Sequence, residues 1–285
     1  MVLSEHGPPA RDQLCQALPG AHALVCLLSD VIDGHVLDCG KDLRVVSNVA
    51  VGVDNIDLDA AAARGIEVRN TPGVLDAATA DLAMALLLAV ARGVVSGMDA
   101  IRRGEWSGFG LAMGLGHDLA GMRLGLVGYG RIARKVASRA GAFDMSVRHH
   151  ARHDTGDAGY VAELDELLVS SDAISLHVPL SPSTRGLLDA RRLALLPRGA
   201  IVVNTARGAV LDERALVEAL TSGHLGGAGL DVFDDEPNVS ASLIAAPNVV
   251  LTPHIGSATI ETRSAMSQLA VDSVIGVLAP AGTLT

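Results

Sequence analysis

Short hydrophobic runs recur along most of the chain and alternate with longer segments of helical periodicity. The runs are almost continuously apolar, without strict alternation of apolar and polar positions, which is typical of strands buried on both faces of a parallel sheet. Parallel strands require long crossovers, and the helical segments between the runs can supply them. The pattern predicts an α/β fold with strands over residues 23–28, 43–48, 124–127, 145–149, 173–178, 200–204 and 249–251.

Apolar residues at helical spacing predict sheet-packing helices over residues 132–140 and 164–168. Residues 82–91 predict a helix of another kind, since their side chains leave no polar face. This run is bounded by Asp81 and Arg92 and is about half as long as a bilayer span, which takes roughly 20 residues. We therefore expect a buried helix that is covered on several sides, in part by the second subunit of a homodimer.

Two breaks in the pattern, around residues 71–73 and 256–257, suggest a domain boundary. Hinges at these points predict a doubly wound, Rossmann-like parallel sheet over residues 73–257. This domain would be inserted into a smaller α/β domain made of residues 1–72 and 258–285. A cleft between two such domains is a common place for an active site.

The composition of the 285 residues, 49% hydrophobic and 19% charged, allows a substantial core. The net charge of -10 argues against nucleic acid or an anionic membrane as the main partner, because both require a concentrated basic surface. Glu5 stands close to the start without a basic segment leading into an apolar run, so we expect no signal peptide. Cys15, Cys26 and Cys39 form no C-x-x-C pair, which favours reduced thiols in a cytoplasm and no metal site.

A glycine-rich turn joins the predicted strand 124–127 to the helix that follows it. Gly128 permits a tight turn, Gly130 lets a pyrophosphate approach the backbone, and Ala133 is small enough for close packing of helix on strand. The helix N-terminus then faces phosphate. A purely structural turn is the alternative, but the series of strands and helices downstream favours a dinucleotide site.

The end of the next strand bears on the choice of cofactor. About 20 residues beyond the glycine turn, an NAD-selective site places Asp or Glu to bind the ribose 2′-hydroxyl. Here Ala151 takes that place and Arg152 follows, so a 2′-phosphate meets a guanidinium instead of a carboxylate. We therefore expect NADP(H) in preference to NAD(H). The alternative is a solvated Arg152, with Asp154 reaching the ribose.

Three residues far down the chain suggest acid-base chemistry: Arg207, Glu236 and His254. Each has an ordinary structural interpretation when taken alone, as a strand-end residue, a member of an acidic loop and a hydrogen-bonded core histidine. Arg207 and His254 nevertheless follow predicted strands, where open α/β sheets bind their ligands. Beside a nucleotide site, this combination predicts redox chemistry on a small acid.

In wording and order, these motifs resemble the D-2-hydroxyacid dehydrogenase family over nearly the entire chain. Residues 47–57, 70–73 and 177–180 support the resemblance, and residues 236–239 and 254–259 look most like glyoxylate/hydroxypyruvate reductases. The resemblance implies NAD(P)H-dependent reduction of a small 2-keto acid to the 2-hydroxy acid. Phosphoglycerate dehydrogenase or another D-2-hydroxyacid dehydrogenase is an alternative, as is a non-catalytic, nucleotide-sensing regulatory module on the same fold.

The resemblance also implies roles for individual residues. Arg207 would orient the substrate, and His254, hydrogen-bonded to Glu236, would give a proton to the alkoxide that hydride transfer leaves. Backbone amides near Val51 and Gly52 would hold the substrate carboxylate. Contacts to the cofactor are expected from Thr79, Gly128, Tyr129, Gly130, Arg131, Ile132, Ala151, Arg152, His177, Pro179, Thr205, Ala206, Asp231 and Gly256, with Asp231 on the nicotinamide carboxamide.

Two further expectations concern the subunit. Trp106 and Phe109 belong to a segment that, in reductases of this kind, can reach the pocket of a neighbouring subunit. Relatives usually carry a strand and most of a helix before the segment that matches residues 6–20. We therefore expect the sheet of the small domain to have one strand fewer.

Overall fold

The computed structural model describes residues 8–279. The chain forms two compact units, the larger comprising Asp76–Gly256 and the smaller comprising Met1–Leu75 with Ser257–Thr285. These bounds differ by a few residues from the hinges predicted from the sequence, and the assignment of substrate and dinucleotide to the two units stays a prediction. The interpretation of Glu5 and the first residues of the segment 6–20 lie outside the described residues.

The smaller unit contains a three-stranded parallel sheet in the order β1-β2-β3. The last helix packs against this sheet, and Ser47 Oγ donates a hydrogen bond to the Ala270 carbonyl at 3.1 Å. The sequence pattern did not predict β3, because a short Glu-Val-Arg edge strand carries no hydrophobic run. The elements are α1 (Arg11–Ala17), β1 (Ala23–Cys26), α2 (Gly34–Cys39), β2 (Val45–Asn48), α3 (Leu58–Ala63), β3 (Glu67–Arg69) and α11 (Ile260–Leu278).

Two of the three cysteines form a disulfide, so the expectation of reduced thiols is wrong for Cys15 and Cys39 in this structure. Cys15 lies on α1 and Cys39 on α2, and the packing of these helices brings their Cα atoms to 5.1 Å, within the span of a disulfide. A pair assembled by tertiary packing leaves no C-x-x-C spacing in the sequence. Cys26 stays a free thiol, and burial raises its pKa to about 12.

The larger unit contains a six-stranded parallel sheet in the order β5-β4-β6-β7-β8-β9. All seven predicted strands are present in the two sheets, with no end shifted by more than two residues. The elements are α4 (Asp76–Ala91), α5 (Val94–Arg102), β4 (Arg123–Val127), α6 (Arg131–Ala142), β5 (Ser146–His150), α7 (Leu164–Val169), β6 (Ala173–Leu176), α8 (Ala190–Leu193), β7 (Ile201–Asn204), α9 (Glu213–Thr221), β8 (Gly227–Leu230), α10 (Ala241–Ile244) and β9 (Val249–Leu251).

The strand missed in the larger sheet, β8, has the sequence Gly-Ala-Gly-Leu, which offers no β-branched or aromatic residue. Its glycines serve helix packing. A side chain at Gly229 would come within 2.8 Å of Leu86, and one at Gly227 within 2.5 Å of Val90. The apolar helix α4 therefore lies directly on this strand, and a larger residue would force them apart.

The cover of α4 comes mainly from its own unit. It packs on α6, β7 and β8, and Leu86, Leu87 and Val90 are each 2% exposed. The expected cover by a second subunit is therefore not required to bury this helix. Within residues 8–279, no single helix is long and apolar enough to cross a membrane; α4 and α5 meet that test only as a pair bent by 61°.

The strand order fixes where a ligand can bind in the larger unit. Successive strands depart in opposite directions from β4, first to β5 and then to β6. In doubly wound sheets, the crevice at the carboxyl ends of the strands beside such a switch point is the usual ligand site. The chain segments after β4 and β6 are thus the candidate cofactor cradle.

Candidate active site

The glycine turn after β4 packs closely against the segment that follows β6. Gly128 has a φ of 90°, and a side chain there would come within 2.8 Å of the His177 carbonyl oxygen. Gly130 precedes α6 and has open space where a Cβ would stand. Ile132 and Ala133 pack into the core. The turn combines a tight inner contact with an open outer face, as a pyrophosphate beside a helix N-terminus requires.

Two side chains of the turn have partners of their own. The Tyr129 ring stacks on His149 with centroids 3.5 Å apart, and the Arg134 guanidinium lies 4.5 Å from the Tyr129 centroid. Arg131 Nε donates to the buried carboxylate of Asp76 at 3.0 Å, while the Arg131 side chain is 70% exposed. The backbone of the turn, rather than the Tyr129 ring, is thus available to a dinucleotide, and Arg131 adds positive charge beside it.

The segment after β5 carries the exposed guanidinium of Arg152, whereas the carboxylates of Asp154 and Asp157 already have hydrogen-bond or ion-pair partners. Ala151 is half-buried, and Arg152 follows with an exposed side chain that makes no ion pair within the described part of the chain. Asp154 accepts a hydrogen bond at 2.9 Å within its own turn. Asp157 pairs with Arg134 at 2.7 Å. The alternative in which Asp154 reaches a ribose stays a prediction.

More of the predicted cofactor residues lie at the carboxyl ends of β6 and β7. His177 is half-buried, its Nε2 lies 2.9 Å from Ser175 Oγ, and burial lowers its pKa to about 4. Pro179 is exposed, and Ala206 is half-buried. The Thr205 hydroxyl is buried and has no hydrogen-bond partner among residues 8–279. Buried polar groups normally have partners, so this orphaned hydroxyl fits a site that a nucleotide cofactor completes.

Arg207 follows β7 in an extended conformation and is half-buried. Its Nη1 donates to the preceding carbonyl at 2.7 Å, and its own carbonyl accepts a hydrogen bond from Asn204 Nδ2 at 2.9 Å. The next residue, Gly208, touches the chain after β8, where a Cβ would lie 1.9 Å from the Phe233 carbonyl carbon. Glycine at this position therefore lets the Arg207 segment run beside the acidic loop 234–236.

Asp231, at the end of β8, is 1% exposed and fixes the turn after β9. Oδ1 accepts hydrogen bonds from Thr252 Oγ1 at 2.6 Å and Ile255 N at 2.8 Å, and Oδ2 accepts one from Gly256 N at 2.7 Å. Gly256 also lies close to α4: a Cβ at Gly256 would be 3.4 Å from Thr79 Cγ2. Both carboxylate oxygens thus bind the turn, and the predicted contact of Asp231 to a carboxamide stays a prediction.

The turn held by Asp231 carries His254 with a φ of 53°, a left-handed conformation that few non-glycine residues adopt. His254 Nδ1 lies 2.7 Å from Glu236 Oε2, and Glu236 Oε1 accepts a hydrogen bond from the Phe233 amide at 3.0 Å. Because an ionised carboxylate only accepts hydrogen bonds, Nδ1 carries the hydrogen and Nε2 is left for a ligand. Two of the three predicted catalytic residues are in direct contact.

The charge of Arg207 also contributes to lowering the pKa of Glu236. Burial raises the pKa of Glu236, but the hydrogen bonds from His254 and Phe233 and the charges of His254 and Arg207 outweigh burial and lower it below its ordinary value of 4.5. The guanidinium of Arg207 is therefore close enough to act on the pair electrostatically. Such a group can orient an anion, donate a proton and stabilise developing negative charge.

The predicted carboxylate site lies in the smaller unit, in the loop after β2. The carbonyls of Val51 and Gly52 accept hydrogen bonds from Asn70 Nδ2 at 2.7 Å and Asn48 Nδ2 at 2.8 Å. The amides of Val51 and Gly52 donate to no partner in the described range 8–279. This loop therefore offers two unpaired N–H donors on a backbone held by two asparagines, which suits a carboxylate ligand.

The comparison with known proteins identifies the family. Residues 84–256 match the family described as D-isomer specific 2-hydroxyacid dehydrogenase, NAD binding domain. The chain belongs to this family. It is 45% identical over 283 residues to the glyoxylate reductase of Pyrococcus furiosus, covering 96% of this chain and 84% of that relative.

Two solved structures resemble this chain over most of its length. The TT0316 protein of Thermus thermophilus is 49% identical with a TM-score of 0.88, over 94% of this chain and 86% of that one. The NADPH-dependent glyoxylate/hydroxypyruvate reductase of Sinorhizobium meliloti, in complex with NADP and malonate, is 38% identical with a TM-score of 0.83, over 92% of this chain and 82% of that one.

Sequence reasoning missed two residues that position the Glu236–His254 pair of this dehydrogenase. Thr252 binds Asp231, as described above. Glu213, at the start of α9, accepts a hydrogen bond from the Asp234 amide at 2.7 Å and so anchors the loop that carries Glu236. Burial, followed by the charges of Asp234 and Glu236, raises the pKa of Glu213. Neither contact has a local signature, because each joins segments that are distant in sequence.

The pH dependence of stability in Glu236→Gln tests whether the Glu236 carboxylate is ionised and hydrogen-bonded in the folded protein. The folded-state pKa of Glu236 is lowered, so its ionised form contributes stability above the ordinary value of 4.5, and this contribution is lost as pH falls through the lower folded value. We expect the urea midpoint of wild type to exceed that of Glu236→Gln above this window and the two to converge below it. kcat should fall about 10- to 100-fold, the effect of one hydrogen bond to a charged group. A midpoint difference that is independent of pH would contradict the assignment.

Proposed function

We propose that this dehydrogenase reduces a small 2-keto acid, glyoxylate or hydroxypyruvate, to the corresponding 2-hydroxy acid with a nicotinamide cofactor. The observation that carries the proposal is the 2.7 Å contact of His254 Nδ1 with Glu236, at the carboxyl edge of the same sheet as the glycine turn. The names of the Pyrococcus and Sinorhizobium relatives support this substrate class.

Each catalytic residue has a distinct task in the proposed reaction. A reduced nicotinamide, when bound, would supply the hydride for the keto carbon, and the carbonyl oxygen would then carry negative charge. His254 Nε2 gives this oxygen a proton, while Glu236 holds Nδ1 and stabilises the charged ring before transfer. Arg207 stabilises the developing charge and orients the substrate. We assign the substrate carboxylate to the amides of Val51 and Gly52.

A kinetic matrix tests substrate and cofactor together. NADPH and NADH are each assayed against glyoxylate, hydroxypyruvate, pyruvate and phenylpyruvate, and kcat/KM is compared. We expect the highest values for glyoxylate or hydroxypyruvate. Higher kcat/KM for phenylpyruvate than for both would place the enzyme in another branch of the family, with phosphoglycerate and other D-2-hydroxyacid dehydrogenase substrates to be tried next.

We further propose a preference for NADP(H) over NAD(H), with Arg152 as the residue that binds the 2′-phosphate. Support comes from the exposed guanidinium of Arg152, from the hydrogen bond of Asp154 within its own turn and from the ion pair of Asp157 with α6. Arg152→Ala is expected to raise KM for NADPH by about 10- to 100-fold, since a hydrogen bond to a charged group contributes about 1.5–3 kcal/mol. KM for NADH should not change.

Arg148→Ala is the matched control, because Arg148 lies on β5, shortly before Arg152, and pairs with Glu166 at 3.1 Å. This control should leave both KM values unchanged. An equal loss of NADPH and NADH binding in Arg152→Ala would show a role other than recognition of the phosphate. Better use of NADH than of NADPH by wild type would reverse the preference.

We propose that the enzyme is a cytoplasmic homodimer whose subunits cover an apolar surface of the larger unit. The support is a set of exposed apolar side chains, with Phe109 92% exposed: Val94, Met98, Ile101, Trp106, Phe109, Leu111, Met113 and Leu115. Sedimentation should give a dimer for wild type and a monomer for Phe109→Ser at the same concentration. Phe143→Ser, at a separate phenylalanine that is 41% exposed, should stay dimeric. A monomeric wild type would refute the proposal.

A further inference from the structure

Three metal-ligating side chains converge in the smaller unit, and none of them belongs to the site described above. The Sγ atoms of Cys15 and Cys39 and one ring nitrogen of His35 lie within 4.8 Å of one another. His35 is exposed, and both cysteines are half-buried. The His35 ring has no hydrogen-bond or ion-pair partner within residues 8–279, so it is available to a ligand.

Local structure explains the convergence. His35 and Cys39 are four residues apart on α2, so they share one face of that helix. Cys15 comes from α1, whose Arg11 forms an ion pair with Asp33, the N-cap of α2. Both helices also pack into the same hydrophobic core, so they stay in contact without the bond between the sulfur atoms. The three ligands therefore stay close together when the bond between the sulfurs is absent.

We propose that Cys15, His35 and Cys39, once the disulfide is reduced, bind one soft or borderline divalent cation of the zinc class. Two thiolates and one imidazole are a ligand set that zinc favours, whereas magnesium and calcium prefer oxygen. Three protein ligands leave the fourth tetrahedral position to water or an external ligand. The disulfide and the metal are then two exclusive ways to cross-link α1 and α2.

Reduction of the Cys15–Cys39 disulfide must precede metal binding. A thiol or phosphine reductant gives two electrons to the Cys15–Cys39 bond, which breaks and takes up two protons to form two thiols, while the reductant is oxidised. The cation then displaces both thiol protons and binds the thiolates together with a neutral imidazole. A cytoplasm supplies the reducing thiol pool that this state requires.

Metal binding by the reduced protein tests the proposal. Full-length protein is treated with a phosphine reductant and a chelator, freed of both without air, and titrated with Co²⁺ and then Zn²⁺. We expect one equivalent of Co²⁺ to give a thiolate-to-cobalt charge-transfer band, which Zn²⁺ abolishes, and release of two protons per metal. Cys15→Ser and Cys39→Ser should remove the band, and His35→Ala should weaken binding at least about tenfold, since loss of even an outer-shell partner of a ligand costs about 10- to 100-fold.

Cys26→Ser is the matched control, because Cys26 is buried, hydrogen-bonded to Asn48 and outside the cluster. This variant should bind metal as wild type does, and unchanged circular dichroism should establish that each variant is folded. A thiol titration precedes the metal. If a denatured sample of the reduced protein shows three reactive thiols but the folded protein then binds no metal, the proposal is overturned. A charge-transfer band that survives in Cys15→Ser would also overturn it. So would a Cys15–Cys39 bond that resists reduction in the folded protein.

Discussion

Removing the imidazole of His254 is expected to lower kcat by about 10²- to 10⁴-fold, the contribution of a positioned general acid. The reason is that His254 Nε2 is the proposed proton donor, with Nδ1 fixed by Glu236 at 2.7 Å. Cofactor affinity should be unchanged, because the glycine turn that we propose to hold the dinucleotide is a separate segment. Steady-state kcat and the Kd of NADPH, measured on the same preparation, check both statements.

The choice of variant matters because His254 has a φ of 53°. Alanine is strained in this conformation, whereas asparagine adopts it more readily. His254→Asn therefore removes the acid with the least disturbance of the turn, and His254→Ala is the second variant. His22→Ala, at a histidine of the smaller unit that is remote in sequence from the glycine turn and the acid-base pair, is the control and should keep wild-type kcat. A His254→Asn enzyme with wild-type kcat would exclude His254 as the acid.

Replacing Arg207 with alanine is expected to lower kcat/KM by about 10²- to 10³-fold, as loss of a group that stabilises transition-state charge does. Both kcat and KM should be affected, since in the proposed reaction the same guanidinium orients the substrate and stabilises the charge on its oxygen. Arg207→Lys should restore only part of the loss, because an ammonium cannot reproduce the planar fork of donors. Initial rates over a range of glyoxylate concentrations separate kcat from KM.

Arg214→Ala provides the control for the change of charge. Arg214 lies on α9, is 89% exposed and pairs with Glu218 at 3.2 Å. Its loss should leave kinetics unchanged, and an exposed ion pair of this kind contributes little to stability. If Arg207→Ala kept wild-type kcat and KM, or if Arg207→Lys were fully active, the proposed role of Arg207 would be wrong.

The sequence was informative where the signal is local. Continuous hydrophobic runs predicted the buried strands of both sheets, and Gly128-x-Gly130-x-x-Ala133 predicted a strand–turn–helix that the structure contains. The partnership of Glu236 with His254 came from a resemblance in motif order, not from spacing. Its contact is seen in the structure, whereas the catalytic roles stay predictions.

What the sequence did not predict depends on packing between distant segments. Strand β8 was missed because Gly227 and Gly229 are needed for the close approach of α4, which leaves no strand-like composition. Both oxygens of Asp231 accept hydrogen bonds from the turn after β9. Sequence spacing could not predict these bonds, because they depend on the packing of β8 beside that turn. In the same way, Cys15 and Cys39 meet only through the packing of α1 on α2.

Transfer of a labelled hydride is the sharpest test of the proposed reduction. The protein is mixed with glyoxylate and NADPH carrying deuterium at the transferring C4 position, and the glycolate formed is analysed by mass spectrometry. We expect one deuterium on C2 of each glycolate from wild type, and about 10²- to 10⁴-fold slower formation of glycolate by His254→Asn. Bound NADPH that is not consumed with glyoxylate, hydroxypyruvate, pyruvate or phenylpyruvate would contradict the proposed reduction and favour a nucleotide-sensing module.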